Sequence, residues 1–275
     1  MSPAEPAAVQ APIAQASTAA DPPLLHVQWV TLRYRSGGRT VTAVEEIDIR
    51  VARGERLAVV GPSGCGKSSL LGAIAGFLTP ESGRITIAGR PVAGPGPDRA
   101  VVFQELDQLL PWKTVRENVA FALRTARGLG AREAHAAAES ALARVRLLDR
   151  ADAYPHTLSG GMKQRVAIAR CLALRPALVL MDEPFASLDA LSRRRMQDEL
   201  LALWDDGSPT LVFVTHAIDE AVRIGTRIVL LSPHPGRVRA DLSVGREGRC
   251  EGPDAAALAR RVHELLHADG GDWCI

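Results

Sequence analysis

Apolar positions along this chain follow three different rhythms, and each rhythm predicts a different kind of element. Residues 25 to 34 alternate apolar and polar side chains, with a slip in phase at Trp29-Val30, and Ile47-Asp48-Ile49-Arg50-Val51 alternates as well. Alternation predicts half-exposed antiparallel strands, and the slip predicts a bulge. Five continuous apolar runs follow: Leu57-Ala58-Val59-Val60, Ala100-Val101-Val102-Phe103, Leu178-Val179-Leu180-Met181, Leu211-Val212-Phe213-Val214 and Ile228-Val229-Leu230-Leu231. Runs without a polar face suit strands covered on both sides. Between Val115 and Leu174 the spacing changes to three- and four-residue steps. Ala134, Ala138, Ala141, Val145 and Leu148 form one helical stripe, and Met162, Val166, Ala169 and Ala173 form another, with Ser159 as N-cap and Pro176 beyond its end. A final amphipathic helix, over about residues 254–267, carries Leu258, Val262, Leu265 and Leu266. The pattern is that of an α/β core with a helical insertion.

Composition narrows the class without changing this outline. At 275 residues and 47% hydrophobic, the chain can bury one large core, or a core with a subdomain. Its net charge is +2 and its arginines are scattered, so no basic stripe predicts a nucleic-acid partner. Cys65, Cys171, Cys250 and Cys274 show neither C-x-x-C spacing nor histidine partners, which predicts no zinc site and no disulfide framework and fits a reducing compartment. No uncharged apolar run approaches the roughly 18 residues of a membrane span. Residues 1–23 are Ala/Pro-rich without periodicity and predict a disordered leader; Glu5 stands where a signal peptide would be positive.

Only three of the 33 basic residues are lysine, and one of them closes the stretch Gly61-Pro62-Ser63-Gly64-Cys65-Gly66-Lys67-Ser68, followed by Ser69. The stretch fits the phosphate-loop pattern G-x-x-x-x-G-K-[ST]. In that pattern backbone N–H groups and a compact ammonium hold phosphates while the hydroxyl, here that of Ser68, holds Mg²⁺. It lies between a predicted buried strand and an apolar helix beginning near Ser68, where N–H groups converge on an anion. Cys65 sits near that helix N-terminus, a position that favours thiolate and predicts that alkylation blocks ATP. A second element, the acidic pair Asp182-Glu183, ends the apolar strand 178–181. Beside a phosphate loop, Asp182 can organise Mg²⁺ and Glu183 can polarise the attacking water; without one, the pair reads as a turn or helix cap.

Leu158-Ser159-Gly160-Gly161-Met162-Lys163-Gln164-Arg165 resembles the signature of ATP-binding cassette (ABC) ATPases and stands just before the acidic strand. Ser159, Gly160 and Gly161 at a helix N-terminus form a second anion site open to close approach. One polypeptide cannot readily bring both anion sites to one γ-phosphate, so the second is expected to serve ATP held by another copy. The resemblance covers about residues 25 to 240. It implies an α/β fold with a P-loop NTPase (RecA-like) core, an antiparallel β subdomain and an α-helical signature subdomain. The expected organisation is a leader over 1–23, an ATPase domain over 24–245 with a helical subdomain inserted at about 106–173, and a tail over 246–275. It further implies that Tyr34 stacks on adenine, with a core-packed tyrosine as the alternative. Gln104 then senses Mg²⁺, with a plain surface glutamine as the alternative, Ser187-Leu188-Asp189 crosses a dimer interface, and His216 contacts the γ-phosphate. Met162 replaces a frequent Gln and Ala217 a frequent Asp, neither in a chemical role.

Val101-Val102-Phe103-Gln104, Leu109-Leu110-Pro111-Trp112, Val115-Arg116-Glu117-Asn118-Val119, Met181-Asp182-Glu183-Pro184-Phe185 and Leu231-Ser232-Pro233 resemble the nitrate/sulfonate/taurine group of importers. The resemblance implies an ATP-hydrolysing importer subunit using ATP and Mg²⁺, with catalytic Lys67, Gln104, Glu183 and His216. Its implied partners are a second copy, membrane permease subunits and, indirectly, a periplasmic or lipid-anchored solute-binding protein. Its place would be the cytoplasmic face of the bacterial inner membrane, held there by the permease. Aliphatic sulfonate or taurine ranks first as solute; nitrate, or another small solute such as a thiamine precursor or bicarbonate, ranks second. A soluble regulatory cassette ATPase without a permease is the reading from another class. Leu109, Leu110, Pro111 and Trp112 are the candidate permease-docking segment; equally, Trp112 could pack the insertion's core.

Overall fold

The computed structural model describes residues 22–36, 38–104, 108–186, 188–204, 209–244 and 253–267. The leader up to residue 21, Leu106, Ser187, Cys250 and Cys274 lie outside the described residues. Four strands, β1 (Leu25–Ser36), β2 (Arg39–Val51), β4 (Ser82–Ile87) and β5 (Arg90–Pro91), form an antiparallel sheet ordered β2-β1-β4-β5. The phase slip in β1 is a register shift between Val27 and Val30, with Trp29 at φ 49° and turned to solvent. A residue inserted there throws one side chain out of the ladder and restores the inward phase at Val30.

The second sheet contains β3 (Arg56–Val60), β6 (Arg99–Val102), β7 (Leu178–Asp182), β8 (Thr210–Thr215), β9 (Arg227–Leu231) and β10 (Val238–Ser243), in the order β10-β9-β3-β8-β7-β6. All neighbouring pairs are parallel except β9 with β10. Its apolar runs divide between two cores by side-chain alternation. Leu57, Val59, Leu178, Leu180, Val212 and Val214 face the core shared with the antiparallel sheet and helix α1 (Lys67–Ala75). Ala58, Val60, Val179, Met181, Leu211 and Phe213 face a second core. That side is covered by α4 (Gly160–Ala173), α5 (Ala190–Trp204), α6 (Ile218–Ile224) and α7 (Pro253–His267). Each such Val or Leu removed from water contributes about 1.5–3 kcal/mol, so no strand in the middle of this sheet tolerates a polar face.

The helical insertion has its own core, where α2 (Val115–Arg127) and α3 (Ala131–Arg144) pack on α4. Ala134, Ala138 and Ala141 are buried as the stripe predicts, but α3 stops at Arg144. Arg146 takes φ 57° and turns the chain, so Leu142 and Leu147 complete the core while Leu148, expected on the stripe, is 48% exposed. Likewise β6 ends one residue early, leaving Phe103 outside the sheet and stacked on exposed Phe77 at 6.0 Å. Helix α7 buries Val262 fully and rests partly buried Leu258, Leu265 and Leu266 on the second core, beside α6. No described helix is long and apolar enough to cross a membrane.

Candidate nucleotide site

The loop 61–66 leaves the carboxyl end of β3 and enters α1, and its two inner glycines take left-handed backbone, Gly64 at φ 79° and Gly66 at φ 94°. At Gly66 a second constraint acts: a Cβ there would stand 2.5 Å from the Ala43 carbonyl oxygen and 2.6 Å from Val44 Cγ1, both in β2. The antiparallel sheet is therefore seated directly against the phosphate loop. The same strand is tied to the loop before β10, since Glu45 N–H donates to the Gly236 carbonyl at 2.9 Å and Gly236 N–H to that of Ala43 at 3.0 Å. Gly236, in a Pro-Gly turn signal, went unrecognised in the sequence; a Cβ on it would lie 2.1 Å from the Cys65 carbonyl oxygen.

Lys67 is 6% exposed, and its Nζ donates to the carbonyls of Gly61 at 2.7 Å and Pro62 at 2.9 Å. The ammonium is thus held over the loop rather than extended into solvent. Ser68 Oγ donates to Asp182 Oδ1 at 3.0 Å, joining α1 to the end of β7. Burial raises the Asp182 carboxyl above its ordinary range, the Ser68 hydrogen bond opposes this, and neighbouring Glu183 adds a further push upward. Ser68, Asp182 and the amide of Gln104 are all hard oxygen donors, the set that suits Mg²⁺ with phosphate and water completing its shell.

Glu183 is the residue where backbone and side-chain geometry converge. It sits at φ 40°, outside the comfortable range of a non-glycine residue, with its N–H donating to the Val214 carbonyl at 3.0 Å. Such strain, of order 1–3 kcal/mol, is held only where the surroundings over-determine it. The bend turns its carboxylate toward β8: Oε2 lies 3.2 Å from His216 Nδ1 and accepts from Gln104 Nε2 at 3.4 Å. Residues 104, 182, 183 and 216 stand at or just past the carboxyl ends of the adjacent strands β6, β7 and β8, beside Ser68. The structure brings these five together.

Ser159, Gly160 and Gly161 stand apart from them. Ser159 caps α4, its Oγ accepting from Met162 N–H at 3.3 Å, and the three residues line a cleft of about 310 Å³ with Leu188, Asp189 and Ser192. No hydrogen bond joins them to the phosphate loop among the described residues. Asp189 is committed locally, its Oδ1 accepting N–H groups of Leu191 at 3.1 Å and Ser192 at 3.0 Å at the start of α5. Hydrogen bonding to Ser192 above all holds its carboxyl below the ordinary range.

Exposure removes the core-packing alternative at two positions. Tyr34 on β1 is 47% exposed and Trp112 is 70% exposed, so neither packs a core. Leu109, by contrast, is buried in the insertion's core and leaves the candidate docking segment. The turn that displays Trp112 is held by fully buried Asn118, which accepts Leu110 N–H at 2.7 Å and donates to the carbonyls of Leu110, Lys113 and Thr114.

The reactive-thiol expectation for Cys65 is corrected. Its side chain packs into the first core, and burial pushes the thiol up, outweighing the favourable charge of Lys67. A helix N-terminus lowers a thiol only where the thiolate can be solvated or paired. Native protein is therefore expected to label at Cys65 at least about tenfold more slowly than unfolded protein, with or without Mg-ATP. Peptide-resolved maleimide labelling checks this; fast labelling that Mg-ATP protects would reinstate the reactive thiol.

Comparison with known proteins adds three similarities and one family. A family model described as ABC transporter matches residues 44–186. The chain is 46% identical over 241 residues to the taurine import ATP-binding protein TauB of Rhizobium johnstonii, across 84% of this chain and 91% of that protein. It is 50% identical over 216 residues to the TauB of Mesorhizobium japonicum, across 78% and 82% of the two chains. Among solved structures, the dimeric post-hydrolysis state of the ATP-binding cassette MJ0796 bound to ADP and Pi superposes with a TM-score of 0.70 at 30% identity. That match covers 81% of this chain and 99% of MJ0796.

Proposed function

Because the chain belongs to the ABC transporter family and carries its ATPase cassette, we propose that it powers import of a small sulfonate, taurine first. The chain is an ATP hydrolase coupled to transport, the ATPase subunit of an importer. One observation carries the residue assignments: the Glu183 carboxylate is turned by its own strained backbone toward His216 and Gln104, beside the Ser68–Asp182 pair and the phosphate loop.

In this reading the N–H groups of residues 63–69 and the Lys67 ammonium hold the phosphates of ATP, and Tyr34 supports the adenine. Ser68, Asp182 and Gln104 would hold Mg²⁺, which when bound neutralises charge on the phosphates. A second copy supplies Ser159, Gly160 and Gly161 to the same ATP, with Asp189 at the contact, because within one copy they face a separate cleft. Glu183 takes a proton from the attacking water as its oxygen bonds the γ-phosphorus. The bond from phosphorus to the β,γ-bridging oxygen breaks, and that oxygen leaves with ADP. His216 holds the carboxylate and the transferred group in line. Pairing excludes bulk water, and loss of the γ-phosphate releases the pair. A permease whose two states prefer the paired or the open ATPases then moves with the cycle.

The permease contact is assigned to Leu110, Pro111 and Trp112, an apolar turn displayed by Asn118, and through that contact the subunit sits at the cytoplasmic membrane face. A solute-binding protein delivers the sulfonate from outside. Deleting the gene is expected to abolish uptake of labelled taurine, and restoring it as Trp112→Ala to recover less than about a tenth of uptake, as for a central interface aromatic. The ATPase of the purified variant should stay within about twofold of the parent. Taurine uptake that survives deletion while nitrate uptake fails would move the solute to nitrate. Taurine uptake that is retained in Trp112→Ala would remove that residue from the permease contact.

A further inference from the structure

Glu220 is buried behind His216 without belonging to the nucleotide site. Of the adjacent acids at the start of α6, Asp219 faces solvent and Glu220 is buried with a side chain 6% exposed. It makes two contacts with different elements. On one side Thr215 Oγ1 donates to Glu220 Oε2 at 2.7 Å, while the same Oγ1 accepts the backbone N–H of Ala217 at 3.0 Å. Those two bonds bracket His216 and set the turn from which it projects. On the other side Glu220 Oε1 lies 3.7 Å from Arg193 Nε, and Arg193 Nη2 donates to the Leu188 carbonyl at 3.2 Å. Leu188 is the residue before Asp189, in the loop that lines the cleft of Ser159 and Gly161.

A buried carboxylate is retained at a cost unless it is paired and hydrogen-bonded, and here its partners, Thr215 at the end of β8 and Arg193 in the first turn of α5, each adjoin a functional loop. We propose that Glu220 is a positioning residue that couples the loop at Leu188–Asp189 to the turn bearing His216, through Arg193 on one side and Thr215 on the other. When a second copy presses on the loop, Leu188 carries the Arg193 guanidinium with it. The 3.7 Å gap to Glu220 is within about 1 Å of hydrogen-bond range, so a small shift of the loop converts an ion pair into a bond. The Glu220 carboxylate, already bonded to Thr215, is then held from both sides, and a seated partner stiffens the turn that keeps His216 beside Glu183. Burial raises the Glu220 carboxyl; the Thr215 hydrogen bond, Arg193 and His216 each oppose this, which matches a carboxylate shared by the three. The other charge facing it, Glu183, belongs to the site it serves.

This rests on the ATPase mechanism proposed above, and the experiment separates the two. Steady-state Mg-ATP hydrolysis would be measured for the full chain and for Arg193→Ala, Arg193→Lys, Glu220→Gln and the double variant Arg193→Ala/Glu220→Gln. Arg193 is partly exposed, so its variants keep the test open if Glu220→Gln fails to fold. Expected are a kcat about tenfold lower in Arg193→Ala and Glu220→Gln, KM within about twofold, and a double variant no slower than the slower single one. Arg193→Lys, which keeps the charge near Glu220 but loses the fork to Leu188, should recover part of kcat. Unchanged kcat in folded Arg193→Ala, a KM that rises as kcat falls, or single effects that multiply in the double variant would each overturn the coupling. An inactive parent chain would instead refute the ATPase mechanism itself.

Discussion

Glu183→Gln is expected to bind ATP within about threefold of the parent while hydrolysing it at least about 100-fold more slowly, the scale of a lost general base. The substitution keeps the side-chain shape and its ability to contact His216 and Gln104, now 3.2 and 3.4 Å from Oε2. It removes only the group that can accept the proton of the attacking water. It also removes a like charge beside Asp182, whose carboxyl Glu183 pushes upward, and a negative charge near the phosphates, so phosphate binding has no electrostatic reason to weaken. With hydrolysis stalled, the step that releases two paired copies is missing, and an ATP-dependent dimer should accumulate. Size-exclusion chromatography with and without Mg-ATP, beside single-turnover kinetics, reads both effects. A variant with unchanged turnover would remove Glu183 from catalysis, and slow turnover without dimer would detach hydrolysis from reopening.

The second large effect is expected at Gly66. An alanine there meets two separate penalties. Left-handed backbone at φ 94° costs a residue with a Cβ about 1–2 kcal/mol, and that Cβ would press on the Ala43 carbonyl oxygen at 2.5 Å and on Val44. Neither neighbour is the free end of a flexible side chain; relief requires β2 to move off the loop, at a further cost of about 1–3 kcal/mol. Gly64, at φ 79° with nothing within 4 Å of its Cβ position, carries the first penalty alone. Gly66→Ala should therefore melt at least about 6 °C below the parent and lose ATP binding, and Gly64→Ala should melt by about half that shift. Thermal melting with nucleotide titration decides it. Equal losses in the two variants would mean that the contact with β2 does not constrain the loop.

The fold was legible where the physics is local. Apolar runs such as 178–181 and 211–214 are buried on both faces because a parallel strand between helical layers has no solvent face to leave polar. Ser159 caps α4 because a hydroxyl before an apolar helix has an unpaired N–H within reach. Strand β4 escaped notice for the converse reason: its first three residues are exposed and only Ile85 and Ile87 turn inward, too few for alternation to register. Leu148 was misplaced because spacing continues through a sequence even where a turn at Arg146 ends the helix.

By itself, then, the sequence determined the buried strands of the central sheet, the helical insertion and which chemistry-bearing residues end those strands, since each of these is read over a few neighbouring positions. Only the tertiary structure decided which of Asp219 and Glu220 is buried, that Cys65 points into the core, that Tyr34 and Trp112 point out of it, and that Gly66 and Gly236 are pinned by backbone. Each of those depends on what lies opposite in space. The partners, Ala43 for Gly66, Cys65 for Gly236 and Arg193 for Glu220, are separated along the chain by far more than any local period spans, so only the packing of whole elements brings them into contact.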